Sequence, residues 1–126
     1  MKKYLSLLFW QNISRRRQLE KYQNQIEEYF HLIDYNEFDR DIIDNQESKE
    51  IRKLLNRQTE VIEIYIIEAG LSPYVTHYDA PAMGGRVTSI NLIENLFNLQ
   101  HYDIEPQSII DTIDQALGVY ERDFVK

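Results

Sequence analysis

Two short runs carry the residue types best suited to chemistry, His77-Tyr78-Asp79 and His101-Tyr102-Asp103. Each sets an imidazole two residues from a carboxylate, and the two together can ligate one cation. Each also stands ahead of a proline, Pro81 or Pro106, at what reads as a helix entry. If the chain between them folds back along a helix of roughly 23 Å, then His77, Asp79, His101 and Asp103 form a candidate metal-binding set. The plainer reading is two helix-entry turns, with Asp103 capping the helix that Pro106 opens and the tyrosines packing. Glu28 and His31 have the Glu-x-x-His spacing of di-iron bundles, but such sites need two copies and further glutamates. The serines show no nucleophile-elbow glycine pattern. The chain has no cysteine, which excludes thiol nucleophiles, disulfides and zinc–thiolate sites. No catalytic set is complete, and no cofactor is expected.

A second constellation lies in the segment Gly70–Arg86, which is rich in glycine and proline and carries Tyr74, Tyr78 and Met83. Helix-to-helix links usually run about 2–8 residues, and longer ordered ones tend to carry function. Here Tyr74, His77, Tyr78, Asp79 and Arg86 can wall a ligand pocket. The backbone amides of Gly84 and Gly85, opening the next helix, can receive an anion. A small anionic ligand or nucleotide is the corresponding expectation, although Gly84-Gly85 alone is neither a Walker loop nor a dinucleotide fingerprint.

A third candidate is the N-terminal run. Leu5, Leu8, Phe9, Trp10 and Ile13 are apolar residues among cations, and Trp, Phe and Arg are types enriched at interface hot spots. They suit a protein partner, a second copy of this chain or a membrane surface. Lys2-Lys3 ahead of this run resemble a signal-peptide start. Gln11-Asn12 interrupt it, however, and arginines follow with no small-residue cleavage site, so it reads as mature chain. It is also too short to span a bilayer, which takes about 20 apolar residues.

Charge narrows the partners. Residues 1–22 hold six cations against Glu20, a net +5, which leaves −12 on the remainder of a chain whose total is −7. An acidic body argues against generic nucleic-acid binding, which relies on Lys and Arg neutralising phosphates. With 126 residues, 43% of them apolar, the chain suits one folded domain over 1–126. The absence of cysteine fits a cytoplasmic protein.

The elements that must position these residues read as helices. Leu19, Tyr22, Ile26, Tyr29, Phe30 and Ile33 recur at steps of three and four, marking one face of a helix over about 3–34. A second helix, capped by Asn36, carries Ile42, Leu55, Ile62 and Ile66 and stops at Gly70, with the polar stretch 44–49 as a break or an exposed turn. A third covers about 86–100 with Val87, Ile90, Ile93, Leu96 and Leu99. A fourth begins at Pro106 and carries Ile109, Ile113, Ala116, Leu117 and Tyr120. No segment shows the alternation of a sheet strand. The expected fold is therefore all-α, a four-helix arrangement with two long N-terminal helices, a shorter C-terminal helical hairpin and a long ordered loop between helices 2 and 3. The expected function is a non-enzymatic protein–protein interaction module, a small adaptor, regulator or inhibitor subunit acting through self- or hetero-association. A ligand-binding protein using the Gly70–Arg86 loop is the first alternative, and a metal-dependent enzyme the second.

Overall fold

A computed structural model of the chain describes the backbone of residues 2–125 and the side chains of residues 11–122. Helix α1 spans Lys2–Leu32. Its apolar positions at steps of three and four put Leu19, Tyr22, Ile26 and Tyr29 on one fully buried face. The chain then forms a small antiparallel hairpin of β1 (Asp34–Tyr35) and β2 (Ile42–Ile43), with Asp34 opposite Ile43 and Tyr35 opposite Ile42. Helix α2 runs over Gln46–Glu68. A longer hairpin follows, β3 (Tyr74–Tyr78) paired antiparallel with β4 (Val87–Asn91). Turns and a short 3-10 helix at Leu99–Tyr102 lead to α3, Gln107–Val125.

Helices α2 and α3 both pack on α1. Leu55, Ile62 and Ile66 of α2, and Ile109, Ile113 and Ala116 of α3, meet the buried stripe of α1. Leu92, Ile93, Leu96 and Leu99, from the irregular segment before α3, complete the same core. Among the described residues, no helix is long and apolar enough to cross a membrane.

The four-helix, all-α expectation is overturned. Among the described residues there are three α-helices and two two-stranded sheets, so the molecule is not a helical bundle. The third expected helix does not form. Val87, Thr88, Ser89 and Ile90 extend as strand β4, in keeping with the β preference of branched side chains. Asparagine then takes over the backbone. Asn91 Oδ1 accepts the amides of Ile93 at 2.9 Å and Glu94 at 3.1 Å, and Asn95 Nδ2 donates back to the Asn91 carbonyl at 2.9 Å. Such local side-chain bonds offer the backbone an alternative to the helix. The helical spacing of Leu92, Leu96 and Leu99 survives as burial, carried by a succession of turns. The expected ordered loop between helices 2 and 3 is also replaced, since most of it is β3 and the turn of the hairpin.

The start of α2 shifts for a related reason. Asn36 Oδ1 accepts the amide of Phe38 at 2.8 Å and shapes the β1–β2 turn instead of capping a helix. The cap is Asn45. Its Oδ1 accepts from Ser48 N at 2.8 Å while Ser48 Oγ accepts from Asn45 N at 2.8 Å, a capping box. Asn45 Nδ2 also donates to the Leu32 carbonyl at 2.8 Å, so one residue serves the end of α1 and the start of α2. Gly70 ends α2 as read from the sequence. Its amide reaches the Ile67 carbonyl at 2.9 Å and the Leu71 amide reaches Ile66 at 3.1 Å, the paired bonds of a Schellman stop.

Candidate interaction surface

The β3–β4 hairpin and its turn gather the residues that the sequence marks for a ligand pocket, Tyr74, His77, Tyr78, Asp79, Gly84, Gly85 and Arg86. In β3 the side chains alternate, with Val75 and His77 half-buried and Tyr74, Thr76 and Tyr78 exposed. Cross-strand partners follow the same faces. Val75 pairs with Ile90 and His77 with Thr88 on the inner face, and Thr76 pairs with Ser89 and Tyr78 with Val87 on the outer face. The hairpin is anchored at its base. Ile90 is buried, and Asn91 Nδ2 donates to Glu63 Oε1 of α2 at 2.9 Å.

The outer face is open and carries exposed apolar side chains on either side of the Thr76–Ser89 pair. Tyr74 is 50% exposed, Val87 63%, Tyr78 71%, and Met83 at the tip 78%. Tyr22 and Tyr29 of α1, by contrast, are fully buried. The tip is a short 3-10 turn, Pro81–Met83, closed by two glycines at φ 107° and 62°. A side chain at either glycine would be strained by that backbone. Their amides are already engaged, Gly84 N with Pro81 O and Gly85 N with Ala80 O, both at 3.2 Å. The backbone donors expected to receive an anion thus hold the turn. Arg86 is exposed, and its carbonyl accepts the Asp79 amide at 2.9 Å.

The hydrogen-bond phase of the hairpin defines its edges. Asp79 N donates to Arg86 O at 2.9 Å and Leu92 N to Pro73 O at 2.8 Å. In an antiparallel ladder bonded pairs alternate with unbonded ones. Residues 75 and 77 therefore turn their amides and carbonyls toward β4, whereas residues 74, 76 and 78 turn theirs outward. The sheet has two strands only, so among the described residues no third strand covers that edge.

The two His-Tyr-Asp units do approach each other, through one contact. The rings of His77 and Tyr102 meet edge to face with centroids 5.5 Å apart. Their charged groups go to separate partners. His77 Nε2 lies 3.3 Å from Asp79 Oδ1, His101 Nε2 lies 2.9 Å from Asp41 Oδ1, and Asp103 binds Arg40 at 2.7 Å. Among the described residues, no three His, Asp or Glu side chains are grouped so as to hold a metal ion. Glu28 and His31 are exposed on α1.

Of the expected N-terminal interface, the side chains of Leu5, Leu8, Phe9 and Trp10 lie outside the described residues, and Ile13 is half-buried. Two of the arginines that follow pair within the molecule. Arg15 reaches Glu68 of α2 at 2.8 Å, and Arg16 reaches Glu121 of α3 at 3.2 Å.

One feature escapes sequence reasoning. A cleft of about 460 Å³ is walled by Tyr35, Ile104 and Pro106, and the Arg40–Asp103 pair lies on its lining. Both ion-pair partners have left-handed backbone, φ 63° and 56°. That conformation is uncommon for residues other than glycine, asparagine and aspartate. Arg40 in particular carries no sequence signal for it. The Oε1 atom of Gln100, another lining residue, is buried without a partner among the described residues. Its Nε2 donates to the Phe97 carbonyl at 3.2 Å.

The chain matches no family, and neither a characterised relative nor a similar solved structure was found.

Proposed function

We propose that this protein is a non-enzymatic interaction module that acts by associating with protein, and that its working surface is the outer face of the β3–β4 hairpin. The observation that carries this reading is the exposure of Tyr74, Tyr78, Met83 and Val87 together on one hairpin. Contiguous exposed apolar groups mark interaction sites on folded proteins, and tyrosine and methionine are enriched at the centres of such sites. The acid–base candidates support the same reading from the other side. His77 and His101 each have a carboxylate of the fold as neighbour, and Asp103 has Arg40.

The test is native mass spectrometry of the protein purified gently from cells, beside a Tyr78→Ser/Met83→Ser variant. Both side chains are exposed and outside the core, so helicity by circular dichroism should not change. The wild type should carry additional protein mass, as a second copy or another chain, and the variant should lose it. A variant that keeps the same assembly would show that this face is not the surface used.

A further inference from the structure

We infer that the outer edge of β3 is a self-complementary docking strand, and that a second copy of this chain binds there by antiparallel pairing of β3 with β3. This inference rests on the interaction-module reading and names its partner.

Three successive positions of the strand face outward, and of these the Tyr74 amide is taken by Ser72 Oγ at 3.1 Å. Residues 74, 76 and 78 point their main-chain groups away from β4, and their side chains are all exposed. An unpaired strand edge is a ready template for another strand unless something protects it. The usual protections are missing from β3: its five residues Tyr-Val-Thr-His-Tyr include no lysine, no carboxylate and no proline. Tyr, Val and Thr are also strong strand formers.

The opposite edge of the hairpin is less available. On β4 the outward positions are 87, 89 and 91 by the same phase. Asn91 is buried, and its carbonyl already accepts the Asn95 amide at 3.0 Å and Asn95 Nδ2 at 2.9 Å. Pairing along β4 would run into the body of the protein. On β3 the Ser72 hydroxyl accepts the Tyr74 amide at 3.1 Å and closes the end of the edge nearest α2.

The side chains favour a second copy over an arbitrary strand. A two-fold axis demands that the same patch face itself. Centred on Thr76, the antiparallel register sets Thr76 against Thr76 of the second copy, and Tyr74 against Tyr78, twice. Threonine pairs and aromatic pairs are both favourable cross-strand neighbours. The Thr76 amides and carbonyls of the two copies bond reciprocally, and each Tyr78 amide reaches the other copy's Tyr74 carbonyl. The result is a continuous four-stranded sheet, ordered β4-β3-β3-β4, with all four tyrosines on one face. Four main-chain bonds and two tyrosine pairs make a small contact, so the dimer is of the transient, concentration-dependent kind.

Sedimentation equilibrium over a concentration series tests this with three variants. Thr76→Pro removes an amide that points outward, so the β3–β4 ladder keeps its bonds and proline is tolerated on an edge. Thr76→Lys adds the charge that natural edges use for protection. Ser89→Pro makes the equivalent change on the β4 edge. The wild type should reach twice the chain mass, and Ser89→Pro should match it. Thr76→Pro should raise the dissociation constant about 30-fold, the effect of two lost hydrogen bonds at roughly tenfold per 1.4 kcal/mol. Thr76→Lys should weaken the dimer in the same direction, and it is the deciding variant if circular dichroism shows Thr76→Pro to be unfolded. A wild type that stays monomeric throughout overturns the β3 dimer while leaving hetero-association through the outer face standing. A folded Thr76→Lys or Thr76→Pro protein that dimerises as the wild type does also overturns it, by placing self-association elsewhere.

Discussion

Tyr22 and Tyr29 lie seven residues apart on the buried face of α1, and their hydroxyls meet different surroundings. Tyr29 donates to Asp44 Oδ1 at 2.9 Å, whereas the Tyr22 hydroxyl is buried with no partner among the described residues. Burial pushes both phenols far above their ordinary range, and for Tyr29 the Asp44 carboxylate adds to it, so both stay protonated. An unsatisfied buried hydroxyl costs about 1–3 kcal/mol. Tyr22→Phe should therefore leave stability unchanged or raise it by about 1 kcal/mol in urea unfolding, and a clear loss would mean that the hydroxyl has a partner. Asp44 is the hub of the Tyr29 site, accepting also from Ser48 Oγ and Arg52 Nη1, each at 2.9 Å. Burial pushes its carboxyl up, but the bonds from Ser48, Tyr29 and Arg52 outweigh that and hold it below the usual carboxylate range. A carboxyl lowered by folding stabilises fully above its unfolded value of about 3.9 and stops doing so as pH falls through its folded value. Asp44→Asn should cost about 2 kcal/mol at neutral pH. The gap to wild type should narrow from about pH 4 downward, and a gap that stays constant to the acid end would show that ionised Asp44 is not the source.

Among the elements, boundaries depend on asparagines more than on apolar spacing. Asn45 joins α1 to α2 by donating to the Leu32 carbonyl at the end of one and accepting the Ser48 amide at the start of the other, so Asn45→Ala should lower the unfolding midpoint by an amount equivalent to about 1–2 kcal/mol. A loss within about 0.3 kcal/mol would put the boundary under the control of packing instead. The buried stripes of α1, α2 and α3 were legible in the sequence because their apolar residues follow the helical repeat, although the polar stretch 44–49 blurred where α2 begins. The stop at Gly70 was legible for its glycine. Strand β4 was not, because Val87, Ile90, Ile93 and Leu96 also fit a helical repeat, and the competing signal lay in the polar residues Asn91, Asn95 and Asn98. Strand β3 was hidden for the opposite reason. It is apolar or aromatic on both faces, with Tyr74 and Tyr78 outward and Val75 inward, so the two-residue alternation that marks a half-buried strand is blurred.

For the molecule as a whole, part of the charge asymmetry seen in the sequence is met within the fold. Arg15 and Arg16 of α1 meet Glu68 of α2 and Glu121 of α3. The candidate site was legible only in part. Tyr74, His77 and Tyr78 do share one structure, a strand with an inward and an outward face, and Asp79 follows directly after it. Nothing in their spacing shows which backbone groups face solvent, and that phase is what makes one edge available. The most direct measurement is hydrogen exchange, read residue by residue by NMR, at low and high protein concentration. In dilute protein the amides of Val75 and His77, bonded to β4, should be protected and those of Thr76 and Tyr78 should exchange fast. At high concentration Thr76 and Tyr78 should become protected as well. Fast exchange at Thr76 and Tyr78 at every concentration at which the protein self-associates would contradict pairing through β3.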